Sequence, residues 1–476
     1  MDPVTIGFII YLILVLVMGL YTVTITRDMN DFALGGHRLG PWVIAFSERA
    51  SGESAWLIIG LPGAALISGL FELWTVVGCI SGIIFSWVVV AKRLRMATGE
   101  FGALTLPELL TRKFNDENGI RLIASLIITF FFTFYVAAQF SGAGKVLNVT
   151  FGMTELQGMM LGAVIIVFYT LMGGFFAVAW TDLIQGIIMI GTLVILPAAG
   201  WIELTRMDGD AITMDLSTLF GGSTGLAAGL GAIGGLSWGL GYMGQPHLVT
   251  RFMAIDKVEN IKIGRRIAIA WAVPAFFGSL CIGIVGAGLI SNGMLSFNGD
   301  ILLSVDQLTD PEKLMPLMAT TLIHPWLAGI FISGAIAAMM STADSQLLVT
   351  STVLTEDITK RYLRDSLKLN SLTVGRIFAV CIGLVAFYLA WKSTDLVFEL
   401  VSYAWGGLGA AFGPALVLTL WWKKTSRAGV LAGLIGGTFF TIFPLFENFI
   451  TPRFSAFFIA LICVIVFSLG VQDKTK

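Results

Sequence analysis

The chain has 476 residues, of which 56% are hydrophobic and only 12% are charged, and its mean hydropathy is +0.88. A chain of this composition cannot bury its apolar side chains inside a water-soluble globule, which excludes a soluble enzyme and predicts a polytopic membrane protein. The formal net charge of -1 gives no indication of a nucleic-acid partner.

Thirteen apolar segments of roughly 20 residues follow one another along the chain, each long enough to span a membrane. They begin near residues 4, 40, 73, 121, 156, 179, 224, 267, 319, 375, 397, 428 and 454. The first has no basic leader and no cleavage site, so it is predicted to be a retained helix. Most of the Lys and Arg residues fall in alternate loops, which predicts an outside N-terminus and a cytoplasmic C-terminus.

Polar and glycine-rich stretches interrupt the second and the seventh of these segments. The stretches are SERASGESAW at 47–56 and GGSTGLAAGLGAIGGLSWGLGYMGQP at 221–246. Glycine alone would indicate close helix packing, but two broken helices in corresponding positions are typical of inverted-repeat transporters with a midplane binding site. We therefore predict an all-α integral membrane fold with a five-plus-five inverted-repeat core. The single transporter domain comprises an extra N-terminal helix (4–26), a first repeat (40–203), a second repeat (224–421) and C-terminal helices with a short cytoplasmic tail (428–476).

Oxygen-bearing side chains cluster in AMMSTADSQ at 338–346, within the ninth segment. Ser341, Asp344 and Ser345 share one helical face, with Thr342 beside them. Hydroxyl and carboxylate oxygens suit a hard, redox-inert cation. Asp182, in the WTD sequence at 180–182, could complete an oxygen site with them or could simply cap a helix N-terminus.

Aromatic side chains mark a candidate substrate site in SWGLGYMGQPH at 237–247. Trp238 and Tyr242 are separated by one helical turn, and Pro246 ends the run. Aromatic faces in a cavity suit a small ligand with an apolar ring, although such a pair could also be a packing stripe. Tyr135 and Gln139 form a weaker pair of the same spacing.

Segments spread over nearly the whole chain resemble the sodium/solute symporter family, and most of all its bacterial sodium/proline branch. They are ALGGHRLGPW, WLIIGLPGAA, LTLPELLTRKF, GGFFAVAWTDLIQ, SWGLGYMGQPHLVTRFMA, MSTADSQLLVTSTVLTED and VSYAWGGLGAAFGP. The resemblance implies a thirteen-helix secondary transporter that imports proline, or a closely related small amino acid, with Na⁺ as the coupling ion and no other cofactor.

The same resemblance assigns roles to individual residues. Na⁺ would be held by the carbonyls of Ala50, Glu53 and Ala338 and the hydroxyls of Ser341 and Thr342. Asp182 with Ser345 would match a second cation site that some members possess. The positions that match proline binding or the transport path are Ser54, Trp56, Tyr135, Trp238, Tyr242 and Pro246.

The stretch 47–56 departs from the family pattern. Gly52 stands where the proline branch has an aspartate important for sodium use, and Glu48 and Arg49 replace small or neutral residues. In a first interpretation Glu53 substitutes for the aspartate and Arg49 pairs with Glu48, Glu53 or Asp344.

Two other interpretations give Arg49 a direct role in transport. The guanidinium could fill the cation site, which would make the carrier sodium-independent or proton-coupled, or it could bind the carboxylate of another solute. Retention of the oxygen cluster around Ser341 favours the first interpretation. A charge at mid-membrane is unfavourable by about 3 kcal/mol even on the most lenient scale, so pairing of Arg49 is expected in every case.

Other classes of membrane protein fit the sequence less well. The chain has no zinc-protease or nucleophile motif that an intramembrane enzyme would need. A channel filter normally requires a symmetric ring of ligands, whereas this chain offers one asymmetric cluster. We therefore predict a multi-pass carrier of the bacterial cytoplasmic membrane, surrounded by lipid and functional as a monomer.

Overall fold

The computed structural model describes residues 2–23, 29–116, 119–206, 216–360 and 370–471, and these residues are almost entirely helical. The predicted cytoplasmic tail at 472–476 lies outside them. The helices are α1 Pro3–Val23, α2 Met29–Leu34, α3 Pro41–Gly52, α4 Leu61–Ser68, α5 Leu73–Phe85, α6 Ala91–Phe101, α7 Leu106–Lys113, α8 Gly119–Phe151, α9 Glu155–Arg206, α10 Gly225–Leu236, α11 Trp238–Gly241, α12 Pro246–Ala254, α13 Ile261–Ser291, α14 Leu314–Leu322, α15 Pro325–Val353, α16 Ser371–Lys392, α17 Val397–Trp421, α18 Arg427–Ile442 and α19 Pro452–Gly470.

Within the described ranges, nine helices are long and apolar enough to cross a membrane, and a tenth span results if the bent pair 225–241 and 246–254 is counted as one. The only strands in the same ranges are β1 Ser296–Phe297 and β2 Asp300–Ile301, which form a two-stranded antiparallel hairpin. This arrangement confirms an all-helical membrane protein.

Both segments predicted to be broken are interrupted in the structure. α3 ends at Gly52, and the chain resumes in a π-helical turn at Trp56–Gly60 that leads into α4. In the other segment, α11 and α12 meet at a bend of 42° before Pro246. A third break falls inside α9 at Gly174, whose φ of 60° favours glycine and where a Cβ would lie 2.7 Å from the ring of Phe32.

Close helix packing explains part of the glycine content, as the simpler interpretation of the seventh segment expects. A Cβ on Gly239 of α11 would lie 2.2 Å from the carbonyl oxygen of Gly78 on α5. Only glycine allows two helix backbones to approach this closely. Packing and helix interruption are therefore combined in the same stretch.

The interrupted end of α3 lies at the centre of the bundle. α3 packs against α9, α12, α13 and α15, and its residues from Ser47 to Gly52 are all buried. α15 is buried along most of its length, from Phe331 to Leu348. The polar residues of α3 and α15 therefore face one another in the protein interior rather than lipid.

Candidate ion and substrate sites

Hydroxyl groups of α15 bind the last carbonyls of α3. Ser341 Oγ donates to the carbonyl of Ala50 at 2.9 Å and to that of Ala338 at 3.0 Å, and Thr342 Oγ1 donates to the carbonyl of Ser51 at 2.9 Å. The last carbonyls of a helix have no partner within the helix, so they are free to bind such groups. Four of the five residues expected to hold Na⁺ thus lie together.

Glu53 is the fifth of those residues and lies at the break itself. It is the C-cap of α3, and its backbone N–H donates to the carbonyl of Arg49 at 3.0 Å. Its carboxylate points to another site, because it accepts from the hydroxyl of Tyr242 at 3.0 and 3.1 Å. The side chain of Glu53 therefore faces the aromatic residues.

Arg49 pairs with two carboxylates of its own helix. Its Nη1 donates to Glu53 Oε1 at 2.6 Å, its Nε donates to Glu48 Oε2 at 2.6 Å, and its Nη2 donates to Glu48 Oε1. All three side chains are at most 1% exposed. Trp87 Nε1 adds a donor to Glu48 at 3.0 Å. The pairing that we expected for Arg49 is thus present with Glu48 and Glu53.

These contacts weigh against one of the roles considered for Arg49, that of a tethered cation in the Na⁺ site. In the described part of the chain its ion pairs are with Glu48 and Glu53, and neither Ser341 nor Asp344 is among its hydrogen-bond partners. Its guanidinium lies 5.4 Å from the centre of the Tyr242 ring. A guanidinium in this position does not fill the proposed Na⁺ site.

A second arginine, Arg251 of α12, binds the carboxylate predicted for a second cation site. Its Nη2 lies 3.2 Å from Asp182 Oδ2 and 2.5 Å from Ser345 Oγ. Ser47 and Ser51 of α3 also donate to Asp182, at 2.6 and 3.0 Å. All of these side chains are buried. By the positive-inside pattern, Arg251 is the first of a group of five charges at 251–266 that is assigned to a cytoplasmic loop, and its burial here corrects that assignment.

The position of Asp182 rules out one of the two roles considered for it, that of a helix cap. The residue lies two turns beyond the break at Gly174, inside α9, so it does not cap a helix N-terminus. Asp344 directly precedes Ser345 in the chain, and its Oδ1 accepts a hydrogen bond from Ser345 Oγ at 3.3 Å. Asp182 and Ser345 thus lie together, as the family pattern implies.

The aromatic residues predicted to bind substrate contact one another. The rings of Trp56 and Trp238 stack at 4.7 Å with an interplanar angle of 15°. Trp405 lies between the remaining two, with its ring centre 4.6 Å from that of Tyr242 and 6.4 Å from that of Tyr135. Trp405 also lies 6.5 Å from Trp238, so the five rings form one aromatic cluster, adjacent to the carboxylate of Glu53.

Polar groups at the α3 break border this aromatic cluster. Gln139 Oε1 accepts from the backbone N–H of Ala55 at 3.0 Å, so the weaker Tyr135 and Gln139 pair supports the interruption of the helix. Ser54 lies one residue earlier, with its hydroxyl 3.4 Å from the N–H of Trp56. Pro246 occupies the first turn of α12, where its missing N–H is tolerated.

A family model for the sodium:solute symporter family matches residues 32–437. The chain belongs to this family. The symporter is 38% identical over 445 residues to sodium/proline symporter 2 of Staphylococcus saprophyticus, covering 91% of the present chain and 84% of the relative. It is 36% identical to the high-affinity proline transporter PutP of Bacillus subtilis (94% and 95% covered) and 37% identical to the sodium/proline symporter of Escherichia coli (91% and 86% covered).

Solved structures agree on the fold. A Na⁺-coupled sialic acid symporter in a substrate-bound outward-open state aligns with a TM-score of 0.78 at 17% identity, covering 99% of this chain and 98% of that one. The nucleobase-cation symporter Mhp1 in a closed conformation aligns with a TM-score of 0.57 at 14% identity, covering 94% and 95%. Family membership and the named relatives, rather than these structures, make the symporter a membrane transporter and not an enzyme.

Ion pairs close the bundle near the start of α17. Glu312 accepts from Lys145 Nζ at 2.6 Å and from the first backbone N–H groups of α17, Val397 at 2.9 Å and Phe398 at 2.8 Å. Burial raises the pKa of Glu312, and Lys145 partly offsets this shift. Phe398 also packs on Trp238, with ring centres 5.0 Å apart. This end of the bundle is thus tied to the aromatic cluster.

The opposite end of the bundle is closed by a different set of polar residues. Asp357, which follows α15, accepts from Thr105 Oγ1 at 2.9 Å and lies 3.4 Å from Arg121 at the start of α8. Polar contacts thus link helices at both ends of the bundle.

Sequence reasoning missed five residues that complete these sites. They are Ser47, Ser51, Trp87, Arg251 and Trp405. Ser47 and Ser51 carried a usable signal, because their spacing of one helical turn places both hydroxyls on one face of α3. Arg251 lies five residues after Pro246 in a mostly apolar run, which could have indicated a buried rather than a surface charge.

Proposed function

We propose that the symporter imports proline, or a closely related small amino acid, together with Na⁺ by alternating access. The observation that carries this proposal is the contact between the broken end of α3 and the hydroxyls of Ser341 and Thr342. It combines with the family membership and with relatives that are named sodium/proline symporters. Proton coupling and another organic solute are the alternatives that the experiment below separates.

The proposed Na⁺ ligands are the carbonyls of Ala50, Glu53 and Ala338 and the hydroxyls of Ser341 and Thr342. The hydroxyls already lie within 3.0 Å of the carbonyls of α3 and α15. A hydroxyl that donates to a carbonyl can rotate and present its lone pairs to a cation instead. This donor set of neutral oxygens suits a hard monovalent ion, which would hold the end of α3 against α15.

The proposed substrate site is the aromatic cluster with its polar border. The pyrrolidine ring of proline would insert between Trp238, Tyr242 and Tyr135, whose rings now all pack on Trp405. The ammonium of the substrate would meet the carboxylate of Glu53 or free carbonyls at the helix breaks, and its carboxylate would meet free N–H groups there. Ser54, Trp56 and Pro246 would line the path.

The finer architecture is also part of the proposal. Thirteen spans result if α3 with α4, α5 with α6, the two parts of α9, and α10 to α12 are each counted as crossings, and if α18 is long enough to span. The breaks after Gly52 and before Pro246 support two inverted repeats, 40–203 and 224–421, within a single domain. We place the N-terminus outside and the C-terminus in the cytoplasm of a bacterial inner membrane, and we infer a functional monomer.

In this orientation the Glu312 cluster forms the outer closure and the Asp357 cluster the inner one. Na⁺ binding would order the end of α3 and raise the affinity for substrate, and the loaded protein would open the inner closure. Each elementary charge that enters with the membrane potential contributes about 2.3 kcal/mol per 100 mV. No nucleotide or prosthetic group is needed to drive the cycle.

The test is uptake of labelled proline into proteoliposomes under an inward gradient of Na⁺, of choline or of protons. Na⁺-dependent accumulation supports the proposal, whereas proton-driven or gradient-independent uptake contradicts the choice of ion. The variant Arg49→Gly distinguishes the roles of Arg49, because sodium responsiveness that appears only in this variant would identify the arginine as a tethered cation. Absence of proline uptake under every gradient would contradict the substrate assignment.

A matched pair of serine variants locates the ion on α15. Ser341→Ala removes a proposed ligand and should raise the Na⁺ concentration for half-maximal uptake. Ser333 lies on the same helix and is equally buried, and among the described residues its hydroxyl donates only to the carbonyl of Gly329 in its own helix. Ser333→Ala should therefore leave the Na⁺ dependence unchanged.

A further inference from the structure

Arg251 presents a positive charge to the oxygens that a second cation would need. Its Nη2 lies within 3.2 Å of Asp182 Oδ2, Ser345 Oγ and Ser51 Oγ, and its Nε donates to Ser47 Oγ at 3.1 Å. The side chain is completely buried. The guanidinium is thus surrounded by oxygens from α3, α9 and α15.

We propose that Arg251 takes the place of a second coupling cation, so that each substrate molecule enters with a single Na⁺. The inference rests on the sodium coupling proposed above. A guanidinium is protonated at any accessible pH and therefore acts as a permanent cation. It neutralises the carboxylate of Asp182 from within the protein, which a bound ion would otherwise do.

A second Na⁺ could not share this position with Arg251. The ion would have to approach Asp182 Oδ2 and Ser345 Oγ, which already lie 3.2 and 2.5 Å from Nη2, and two positive charges in a buried site repel each other strongly. In the described part of the chain, the carboxylate oxygens of this cluster that lack a hydrogen-bond partner are Asp182 Oδ1 and Asp344 Oδ2. Two oxygens are fewer than a buried Na⁺ requires.

The surroundings hold Arg251 in this position. Its Nη1 donates to the carbonyl of His247 one turn earlier on α12, at 2.7 Å, and its guanidinium lies 5.1 Å from the centre of the Phe175 ring. α12 follows the second helix break, so the arginine joins the second repeat to α3 and α9. The positive charge beside Asp182 therefore belongs to a side chain of the protein and not to an ion bound from solution.

The experiment counts bound ²²Na⁺ per chain in purified, detergent-solubilised protein at saturating Na⁺ and proline. The wild type should bind one ion. Arg251→Met exposes Asp182, Asp344 and the three hydroxyls to a cation and should bind two. The double variant Arg251→Met/Asp182→Asn removes the carboxylate as well and should return to one.

A matched control replaces another arginine that pairs with a buried aspartate. Arg121→Met removes the partner of Asp357 at the far end of the bundle and should still bind one Na⁺. Two ions in the wild type, or one ion in a folded and proline-binding Arg251→Met protein, would overturn the inference. No Na⁺ in the wild type would instead contradict the sodium coupling on which it rests, so the two failures are distinguishable.

A hydroxyl variant covers the case in which Arg251→Met does not fold. Ser345→Ala removes one oxygen of the site and leaves all charges in place. Because Ser345 binds Arg251 rather than Na⁺ in our proposal, the variant should still bind one ion. Loss of the bound ion from a folded Ser345→Ala protein would show that Na⁺ occupies this position and would refute the inference.

Discussion

Replacing Arg49 with methionine should destabilise the symporter strongly, because it removes the guanidinium that binds two buried carboxylates. Arg49 makes three charged hydrogen bonds to Glu48 and Glu53, and none of the three side chains is more than 1% exposed. Removing one partner of a buried ion pair typically destabilises a protein by about 3–5 kcal/mol. The equilibrium constant for folding should therefore decrease by roughly a hundredfold or more.

The same reasoning predicts that the loss can be reversed without restoring the arginine. The destabilisation comes from the unpaired charges of Glu48 and Glu53, so the triple variant Arg49→Met/Glu48→Gln/Glu53→Gln should recover most of the stability. Both glutamines keep an oxygen to accept from Trp87 and Tyr242, which now bind the carboxylates. The changes in the free energy of unfolding should not add up across these variants, because the three residues belong to one hydrogen-bond network.

The assay is reversible unfolding of the purified protein in detergent, followed by tryptophan fluorescence. The control is Arg112→Met, since Arg112 forms a similar i, i+4 pair with Glu108 but its side chain is 45% exposed. Such a pair contributes about 1 kcal/mol or less. Equal destabilisation by Arg49→Met and Arg112→Met, or a triple variant no more stable than Arg49→Met, would refute the argument.

Three further variants probe other parts of the symporter. Glu312→Gln should weaken the contact with Lys145 and raise the reactivity of a cysteine placed in the aromatic cluster. Because burial raises the pKa of Glu312, mild acid should protonate its carboxylate and have the same effect. Trp238→Ala removes the stacking partner of Trp56 and should raise the KM for proline roughly tenfold or more, measured as initial uptake. Ser341→Ala should raise the Na⁺ concentration for half-maximal uptake roughly tenfold, since it deletes one ligand that contributes about 1–2 kcal/mol.

The broken helices were predictable because their signal is local. A continuous helix in lipid is disfavoured by polar residues in an apolar run, as in 47–56, and by a glycine-rich run that ends at Pro246. The two helical segments on either side of Gly174 were predicted, but the sharp kink that joins them at this residue was not. A single glycine is common in membrane helices, and only contact with Phe32 makes it necessary here.

Pairing between distant residues was harder to predict than the elements themselves. Oxygen chemistry left Asp182 either in one site with Ser345 or as a helix cap, family resemblance favoured the site, and no spacing in the chain could indicate that Arg251 binds both residues. The positive-inside rule counts charges by position along the chain and not by burial. An arginine that follows a helix break in the protein core therefore reads as a cytoplasmic charge.

The charges in SERASGESAW are tolerated because the helical period sorts them onto different faces of α3. Ser47 and Ser51 share a face that binds Asp182, whereas Arg49 and Glu53 share another face that meets Tyr242. The carbonyls at the end of the helix remain for the hydroxyls of α15. One interrupted helix thereby contributes to both the proposed ion site and the proposed substrate site.

Residue 53 is the point at which the two proposed sites meet. The carbonyl of Glu53 is a proposed Na⁺ ligand, and its carboxylate binds Arg49 and the hydroxyl of Tyr242 in the aromatic cluster. The backbone here has left the helix, so an ion that fixes the carbonyl also fixes the direction of the side chain. Na⁺ binding would thus set the position of Tyr242 before the substrate arrives, which is the coupling that symport requires.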